Sequence, residues 1–315
     1  GEQAFRREHH EAHQDEAVDN FINDGDVFNV GKLISSNSIG EVTMEGGMSL
    51  MLMDSEKGGA QFYLDSLNIK QLEFNNYSYK NILAVGSYKS DYFDGKIICR
   101  DPNLDFIFQG LIGISPNEGS NSYYDFYADI IYADLAALNF DKRDSLSALS
   151  FTTMVNFTQN GVGDIEGTIN IRDMNFENSK GIFPIGNISV QSTSLQDNFT
   201  LFLRSSFANA TYRGGNFITA FAEEVTNLSL NRHLDALFTN SNEGAGDTTN
   251  YRYALNIEFN DTRSVAELLF PGFFISAGSE ISAEIDNSKN LYIRVVSEEI
   301  KYKKKTITFG KGFTY

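Results

Sequence analysis

The sequence predicts an all-β protein with a few short helices, built from similar units that stack into an elongated antiparallel sheet. Its 315 residues include 26 Phe and 15 Tyr but 4 Pro and no Trp, with abundant Asn, Ser and Gly. This composition is typical of strands and turns. Apolar and polar residues also alternate along much of the chain, and a strand–turn–strand pattern recurs.

The recurring pattern occurs clearly twice and, more loosely, a third time. Its copies are LNIKQLEFNNYSYKNI at 67–82, INIRDMNFENSKGIF at 169–183 and SEEIKYKKKTITF at 297–309. The first two copies match at three apolar positions: Ile69 with Ile171, Leu72 with Met174 and Phe74 with Phe176. A unit that cannot bury its own apolar face must stack on its neighbours, which produces an elongated surface. Two ordinary hairpins with similar alternation would also produce this pattern.

Alternation with a period of two marks the individual strands. The clearest strand has apolar residues at Leu104, Phe106, Phe108, Ile112 and Ile114. Further strands are predicted at 151–157, 165–171, 201–203 and 251–259. Within the repeat, the apolar phase changes by an odd number of positions, which in a regular strand exchanges the two faces. We therefore expect a bulge or break at Lys70-Gln71 and another at Arg172-Asp173.

The sequence predicts that the chain is divided into four segments. We predict a polar arm or marginal helix at 1–35, a first β segment at 36–221, a helical and loop seam at 222–250, and the start of a second β segment at 251–315. Helical spacing of Leu230, Leu234, Leu237 and Phe238 marks the seam. A short helix is expected after it, capped by Asp261 or Thr262 and stopped by Pro271-Gly272.

Charge and cysteine content exclude two classes of protein. The formal net charge of -17 argues against nucleic-acid binding, because phosphate neutralisation needs clustered Lys and Arg. The single cysteine, Cys99, excludes an internal disulfide framework, and its alternating apolar neighbours predict a small buried core residue. No apolar stretch has the length of a membrane-spanning helix or the pattern of a signal peptide. Both ends are expected to be boundaries within a longer protein.

Few residues have the spacing that site chemistry requires. His9 and His13, with Glu11 between them, are the one cluster of metal-ligand type, but the zinc-protease spacing is absent and no metal is predicted. Asp125 and Asp129 would lie about 13 Å apart along one strand, farther apart than paired catalytic carboxylates. We therefore expect no cofactor and no enzymatic activity. The enzymatic alternative is a polysaccharide-processing β-helix whose carboxylates meet only in the fold.

Four stretches together carry a family resemblance. They are DPNLDFIFQG (101–110), YADLAALNFDKRDSLSALSF (132–151), SLQDNFTLFLRSSFANATYRGG (194–215) and LLFPGFFISAGSEISAEID (268–286). In order and spacing they resemble the periplasmic part of the TamB family, the translocation and assembly module, in its Asn- and Tyr-rich versions from Bacteroides-like bacteria. None of these stretches is catalytic. The resemblance covers roughly residues 30 to 315 and would make this chain a middle section.

The resemblance implies a fold and a function. A TamB-like protein would be anchored in the inner membrane and would cross the periplasm as a long sheet rolled into an open trough, or β-taco, with an apolar concave face. It would move phospholipid toward the outer membrane or assist assembly of outer-membrane proteins, with a barrel protein of the Omp85 class as partner. The family's anchor helix and its barrel-contacting portion are missing from this stretch.

A curved sheet supplies a continuous apolar path because every second side chain points inward. Each buried methylene contributes about 0.8 kcal/mol, so such a path holds acyl chains without specific head-group chemistry. The candidates for this lipid groove are Leu104, Phe106, Phe108, Ile112, Ile114, Phe151, Val155, Phe157, Ile169, Ile171, Leu201, Leu203, Leu255 and Ile257. The same alternation builds any half-buried sheet, so part of this set would be sealed core on the plainer interpretation.

The main alternative function is an envelope or surface module that binds carbohydrate, such as an adhesin. The aromatic cluster Tyr123, Tyr124, Phe126 and Tyr127 would then form a platform for sugars. A compact sandwich favours this alternative, whereas an elongated trough favours a lipid-conducting or assembly scaffold.

Overall fold

Strands and one helix, α1 (Arg263–Leu269), make up most of the described chain in this computed structural model. It describes residues 17–22, 27–29, 39–52, 60–89, 92–113, 121–160, 164–195, 198–214, 253–285, 291–303, 305–307 and 313–314. The first ten strands are β1 (Ala17–Ile22), β2 (Val27–Asn29), β3 (Ile39–Leu52), β4 (Ala60–Phe74), β5 (Tyr77–Lys89), β6 (Tyr92–Asp101), β7 (Leu104–Gly113), β8 (Ser122–Asp134), β9 (Ser147–Asn160) and β10 (Asp164–Asn178). The others are β11 (Gly181–Leu195), β12 (Asn198–Ser205), β13 (Ala208–Gly214), β14 (Tyr253–Phe259), β15 (Phe273–Ile275), β16 (Glu280–Ile285), β17 (Leu291–Val296), β18 (Ile300–Tyr302), β19 (Lys305–Ile307) and β20 (Phe313–Thr314).

One long antiparallel sheet dominates the described residues. From β3 to β14, and then through β16 and β17, each of 14 strands pairs with the next. At one edge β1 and β2 pair with β3, and at the other β20 pairs with β17. The sheet is not closed into a barrel, which confirms the predicted all-β, elongated open trough. A separate sheet contains β15, β18 and β19.

The two clear copies of the repeat form hairpins. β4 and β5 are joined by a turn at Asn75-Asn76, and β10 and β11 by a turn at Ser179-Lys180. Both predicted irregularities are confirmed, as register shifts beside Lys70 in the pairing with β3 and around Arg172-Asp173 in the pairing with β9. The extra residue of a bulge compensates for the odd spacing, so the apolar side chains before and after it stay on one face. The third copy contains the β18–β19 hairpin.

Glycines align across three neighbouring strands of the long sheet. Gly86 pairs with Gly95, and Gly95 pairs with Gly110. A Cβ added to Gly95 would lie 2.3 Å from the Val85 carbonyl oxygen, and one added to Gly110 would lie 2.3 Å from the Asp125 carbonyl oxygen. The φ values of Gly86 and Gly110, 153° and 140°, also belong to a region that other residues rarely adopt. Glycine inside a strand allows another backbone to approach closely, which is what the short distances along this row show.

The segment between β8 and β9, residues 135–146, folds onto one face of the sheet, and we call it the first cover. Its Leu138 is 2% exposed and belongs to one buried cluster with Cys99. Reciprocal amide hydrogen bonds fasten it to the β4–β5 turn. The Asn75 side chain donates to the carbonyls of Leu138 and Asn139 at 3.3 Å, and the Asn139 side chain donates to the carbonyls of Asn75 and Asn76 at 3.2 Å.

A second cover, formed by α1, β15, β18 and β19, lies farther along the same face. Its Val265 packs with Phe176 and Ile185 in a second buried cluster. The helix begins after Thr262 and ends just before Pro271-Gly272, as the sequence predicts. In the chain, α1 and β15 lie between β14 and β16, and β18 and β19 follow β17. These segments pack back over β10 to β14 and do not extend the sheet.

Two features differ from the predicted segments. β1 and β2 lie within 1–35, where the sequence predicts a polar arm or marginal helix; they pair with β3, and backbone pairing at a sheet edge does not require apolar periodicity. β13 pairs directly with β14, so the strands on both sides of the predicted seam form one sheet. The seam at 222–250 and the cluster around His9 and His13 lie outside the described residues.

Candidate functional site

One face of the long sheet, which we call the apolar face, carries apolar side chains across nearly every strand from β3 to β17. Directly paired residues share a face, so rows of side chains can be followed from strand to strand. One row contains Leu67, Ala84, Ile97, Phe108, Ala128, Thr153, Ile171 and Ile188. The adjacent row contains Phe126, Val155, Ile169, Val190, Leu203, Ala210, Ile257, Ile281 and Val295. Both covers pack on this face.

Thirteen of the fourteen predicted groove residues lie on the apolar face, as their pairing shows. The fourteenth, Ile114, lies outside the described residues. Phe108 and Val155 are buried, each 7% exposed, while the other eleven are half-buried. Half-buried side chains pack against their neighbours sideways and keep part of their surface accessible. Their role in holding lipid stays a prediction.

The first cover seals part of this face. Leu104 and Phe106, two of the predicted groove residues, pack against the buried cluster that contains Leu138 and Cys99. The fold therefore uses them as core beneath a covering segment. At this place the alternating apolar residues form part of a core and not a groove, because the insertion after β8 packs over them as a second layer.

Two aromatic residues absent from the predicted groove set also line the apolar face. The rings of Tyr124 and Phe157 have centroids 4.4 Å apart, and those of Phe126 and Phe108 are 5.1 Å apart. Aromatic pairs at these distances stabilise neighbouring strands beyond the area they bury. Alternation within β8 could have identified these two aromatic residues from the sequence. Only the register between strands shows that their rings continue the rows of the groove residues.

The outer face carries the alternate side chains and changes along the sheet. Between β5 and β9 it exposes apolar side chains at Leu83, Val85, Tyr127 and Met154. From β10 to β14 it carries a polar row of Asn170, Ser189, Arg204, Asn209 and Glu258. The difference between the two faces is therefore largest in the second half of the sheet.

The aromatic cluster of β8 is divided between the faces. Tyr124 and Phe126 belong to the apolar face, whereas Tyr123 and Tyr127 point to the outer face with Asp125 and Asp129. The four aromatic rings therefore do not form the single platform that the carbohydrate-binding alternative expects at this place. The two aspartates lie on the opposite face from the apolar rows.

An apolar pocket of about 450 Å³ lies between the apolar face and the second cover. This volume is within the range of small-molecule sites, about 300–1,000 Å³. The sheet contributes Leu203, Ala210 and Ile257, and α1 contributes Val265. Apart from Thr262 and Tyr302, the side chains that line it are apolar. Two predicted groove residues, Leu203 and Ile257, thus line an apolar pocket that is partly open to solvent.

Ionisable groups beneath the first cover have structural partners. The Tyr77 hydroxyl donates to Asp101 Oδ1 at 2.5 Å, and burial together with this hydrogen bond raises the pKa of Tyr77 to about 12. Burial also raises the pKa of Cys99 to about 11. Since Cys99 has no exposed surface, its thiol is a protonated core group, which confirms the predicted small buried residue. These groups stabilise the fold and do not form a reactive site.

Within the described ranges, no group of three or more His, Cys, Asp or Glu side chains is placed to hold a metal ion. In the same part of the chain, no helix combines the length and apolar character needed to cross a membrane. Comparison with protein-family models, curated proteins and solved structures finds no match to this chain. The functional conclusion therefore depends on the sequence and on the geometry of the apolar face.

Proposed function

We propose that this chain is a non-enzymatic scaffold of the cell envelope that holds phospholipid acyl chains along its apolar face. The rows of apolar side chains that extend along the open 14-stranded sheet are the observation that supports the proposal. Thirteen inter-strand steps of about 4.8 Å make it about 60 Å long. The face is open at many of its half-buried positions, so a chain can lie on it without a large rearrangement.

The energetics suit a carrier. Each methylene removed from water contributes about 0.8 kcal/mol wherever it lies on an apolar surface. Neighbouring positions along the rows are chemically similar, so an acyl chain that slides by one strand exchanges one apolar contact for another. The path needs no head-group chemistry and no catalytic residue for this purpose.

The cellular setting follows from the TamB resemblance. The full-length protein would be periplasmic and anchored in the inner membrane, and it would pass phospholipid toward the outer membrane or assist outer-membrane protein assembly. A barrel protein of the Omp85 class would be its partner. The net charge of -17 is compatible with this setting and argues against nucleic acid as a partner.

Site-specific photo-crosslinking tests the proposal. A photoreactive amino acid at Phe157 would lie on the apolar face, and one at the adjacent Asn156 would lie on the outer face. We expect lipid adducts in cells at Phe157 and few at Asn156. Absence of lipid at Phe157, or equal labelling at both positions, would contradict the proposal.

A blocking variant tests continuity of the path. Ile169→Lys places a charge in a central row, whereas Asn170→Lys places the same charge on the outer face. We expect Ile169→Lys, but not Asn170→Lys, to reduce lipid transfer between donor and acceptor vesicles, because an unpaired charge on an apolar path costs several kcal/mol. Circular dichroism of both variants controls for loss of fold.

A further inference from the structure

The apolar pocket under the second cover has a charged neighbour. A cleft of about 480 Å³ lies beside it, between the first cover and α1. The pocket and the cleft share three lining residues, Leu269, Phe270 and Tyr302. A ligand with an apolar and a polar part can therefore occupy both spaces across this shared lip.

Most charges of the cleft are already paired. Arg143 Nη2 lies 2.7 Å from Asp141 Oδ2 and also donates to the Leu268 carbonyl at 2.6 Å. Lys180 Nζ lies 2.7 Å from Glu267 Oε2. These pairs tie the first cover and the β10–β11 turn to α1, and they leave little net charge from their own groups.

Asp144 and Lys303 are the remaining charged residues that line the cleft. The Asp144 carboxylate accepts hydrogen bonds from the backbone N–H and the hydroxyl of Ser179. The Lys303 ammonium lies 5.1 Å from the centre of the Tyr302 ring, and it has no ion pair with any residue of the described ranges. Its backbone N–H donates to the Gly272 carbonyl at 2.7 Å, which fixes the position from which the side chain extends.

We infer that this pocket binds the acyl chain of a single-chain amphiphile whose anionic head group contacts Lys303 in the adjacent cleft. A charged head group cannot enter the pocket, since burying an unpaired charge is costly, so the head must lie at the lip. The chain carries a net charge of -17, so selection of an anion has to come from this local lysine. The inference rests on the proposed function, because the sheet wall of the pocket is part of the same apolar rows. It adds a separate binding site and the charge of the ligand's head group.

Binding of three probes to the full chain tests the head-group assignment. Dodecanoate carries a carboxylate, dodecyl phosphate a phosphate, and dodecanol no charge; calorimetry compares their affinities. We expect both anions to bind more tightly than dodecanol, and Lys303→Gln to weaken the anions about three- to fivefold with no effect on dodecanol. Lys301→Gln is the matched control, because Lys301 already pairs with Glu299 at 2.7 Å. Equal affinity for all three probes, or equal effects of both lysine variants, would overturn the assignment.

A pocket-filling pair tests the acyl-chain assignment. Ala210→Phe fills the pocket from the sheet side, whereas Asn209→Phe adds the same ring on the outer face. We expect the first to weaken dodecanoate at least about tenfold and the second to leave it unchanged.

A photoactivatable fatty acid added to the unaltered chain gives a readout that does not depend on folding of a variant. Adducts should map to β12 to β14 and α1, and adducts confined to other segments would refute the pocket. If lipid crosslinks at Phe157 while Ala210→Phe has no effect, the scaffold function stands and this inference fails. If dodecanoate binds in the pocket while Phe157 captures no lipid, the reverse holds.

Discussion

The two covers pack on the same apolar face but bury it to different extents. The first cover inserts Leu138, which is 2% exposed, and closes a core over β4 to β8. The second cover packs Val265 on Phe176 but leaves an apolar pocket beside it, with Leu269 54% exposed at its edge. One sheet surface thus becomes sealed core in one place and an accessible apolar space in another.

The difference comes from how each cover is attached. The first is a short insertion between adjacent strands, capped by Asp134, whose carboxylate accepts from the N–H groups of Ala136 and Ala137 at 3.0 and 3.1 Å. In the second, the Thr262 hydroxyl donates to the Ile275 carbonyl of β15 within the cover. Hydrogen bonds among the Ser276, Ser279 and Ser297 hydroxyls connect the end of β15 to the adjoining ends of β16 and β17. A local insertion is held close to the strands beneath it, whereas a cover with its own small sheet spans a gap. Alternating strands alone therefore do not decide whether a face is core or groove.

The equivalent phenylalanines of the repeat give the largest expected contrast. Phe176 is 2% exposed under the second cover, whereas Phe74 is only half-buried near the first. We expect Phe176→Ala to lower the free energy of unfolding by about 3–5 kcal/mol and Phe74→Ala to lower it by less. Chemical denaturation measures both, and equal losses would show that the two repeat copies are buried alike.

Truncation within the covers should show that the first one seals more completely. Leu138→Ala leaves a cavity in a closed cluster, so we expect a loss of about 2–4 kcal/mol. Leu269→Ala removes a side chain that is mostly exposed and should cost less than about 1 kcal/mol. The same denaturation experiment compares them, and a larger loss for Leu269→Ala would reverse our description of the covers.

Removing the hydrogen bonds that hold the first cover to the β4–β5 turn should have an intermediate effect on the free energy of unfolding. Asn139 has a φ of 65°, a region that Asn tolerates better than Ala, and its side chain makes two hydrogen bonds to the β4–β5 turn. We expect Asn139→Ala to cost about 1–2 kcal/mol. Asn139→Gly restores the backbone preference without the hydrogen bonds, so it separates the two contributions. Unchanged thermal melting of both variants would argue against this fastening.

The smallest expected effect depends on pH. Hydrogen bonds from Arg143 hold the pKa of Asp141 well below its usual range. Because the folded-state pKa is depressed, the carboxylate stabilises the fold at neutral pH, and this contribution is lost as the pH falls below about 4 and through the folded-state pKa. Asp141→Asn should therefore destabilise at neutral pH, by about 1 kcal/mol or less since Arg143 is half exposed, and should matter less in acid. Denaturation at two pH values checks this, and a pH-independent difference would contradict it.

Much of the strand structure could be predicted because it is local. Alternation placed thirteen groove candidates on one face, the odd phase at Lys70-Gln71 and Arg172-Asp173 marked bulges, and Pro271-Gly272 marked the end of α1. Each signal requires only the geometry of one strand or one helix. The short strands β1 and β2 were missed because edge pairing needs no apolar pattern.

The candidate site was less predictable. Leu104 and Phe106 have the same alternation as Phe157, yet they pack against the buried cluster beneath the first cover, whereas Phe157 packs against the ring of Tyr124. Nothing in the strand itself carries that distinction, because it depends on a segment that returns from later in the chain. The apolar pocket and the position of Lys303 beside it could likewise not be predicted from the sequence. The residues that line the pocket and the adjacent cleft come from segments far apart in the chain, including β12 to β14, α1 and β18.

The order of residues was thus enough to specify an all-β chain, the side of each strand that is apolar, and the positions where strands turn or bulge. Folding in three dimensions selected which parts of that apolar side are covered, where a pocket remains, and which cation stands at its edge. The physical reason is range: side-chain alternation is set by neighbours in one strand, whereas burial is set by whatever distant segment packs on top.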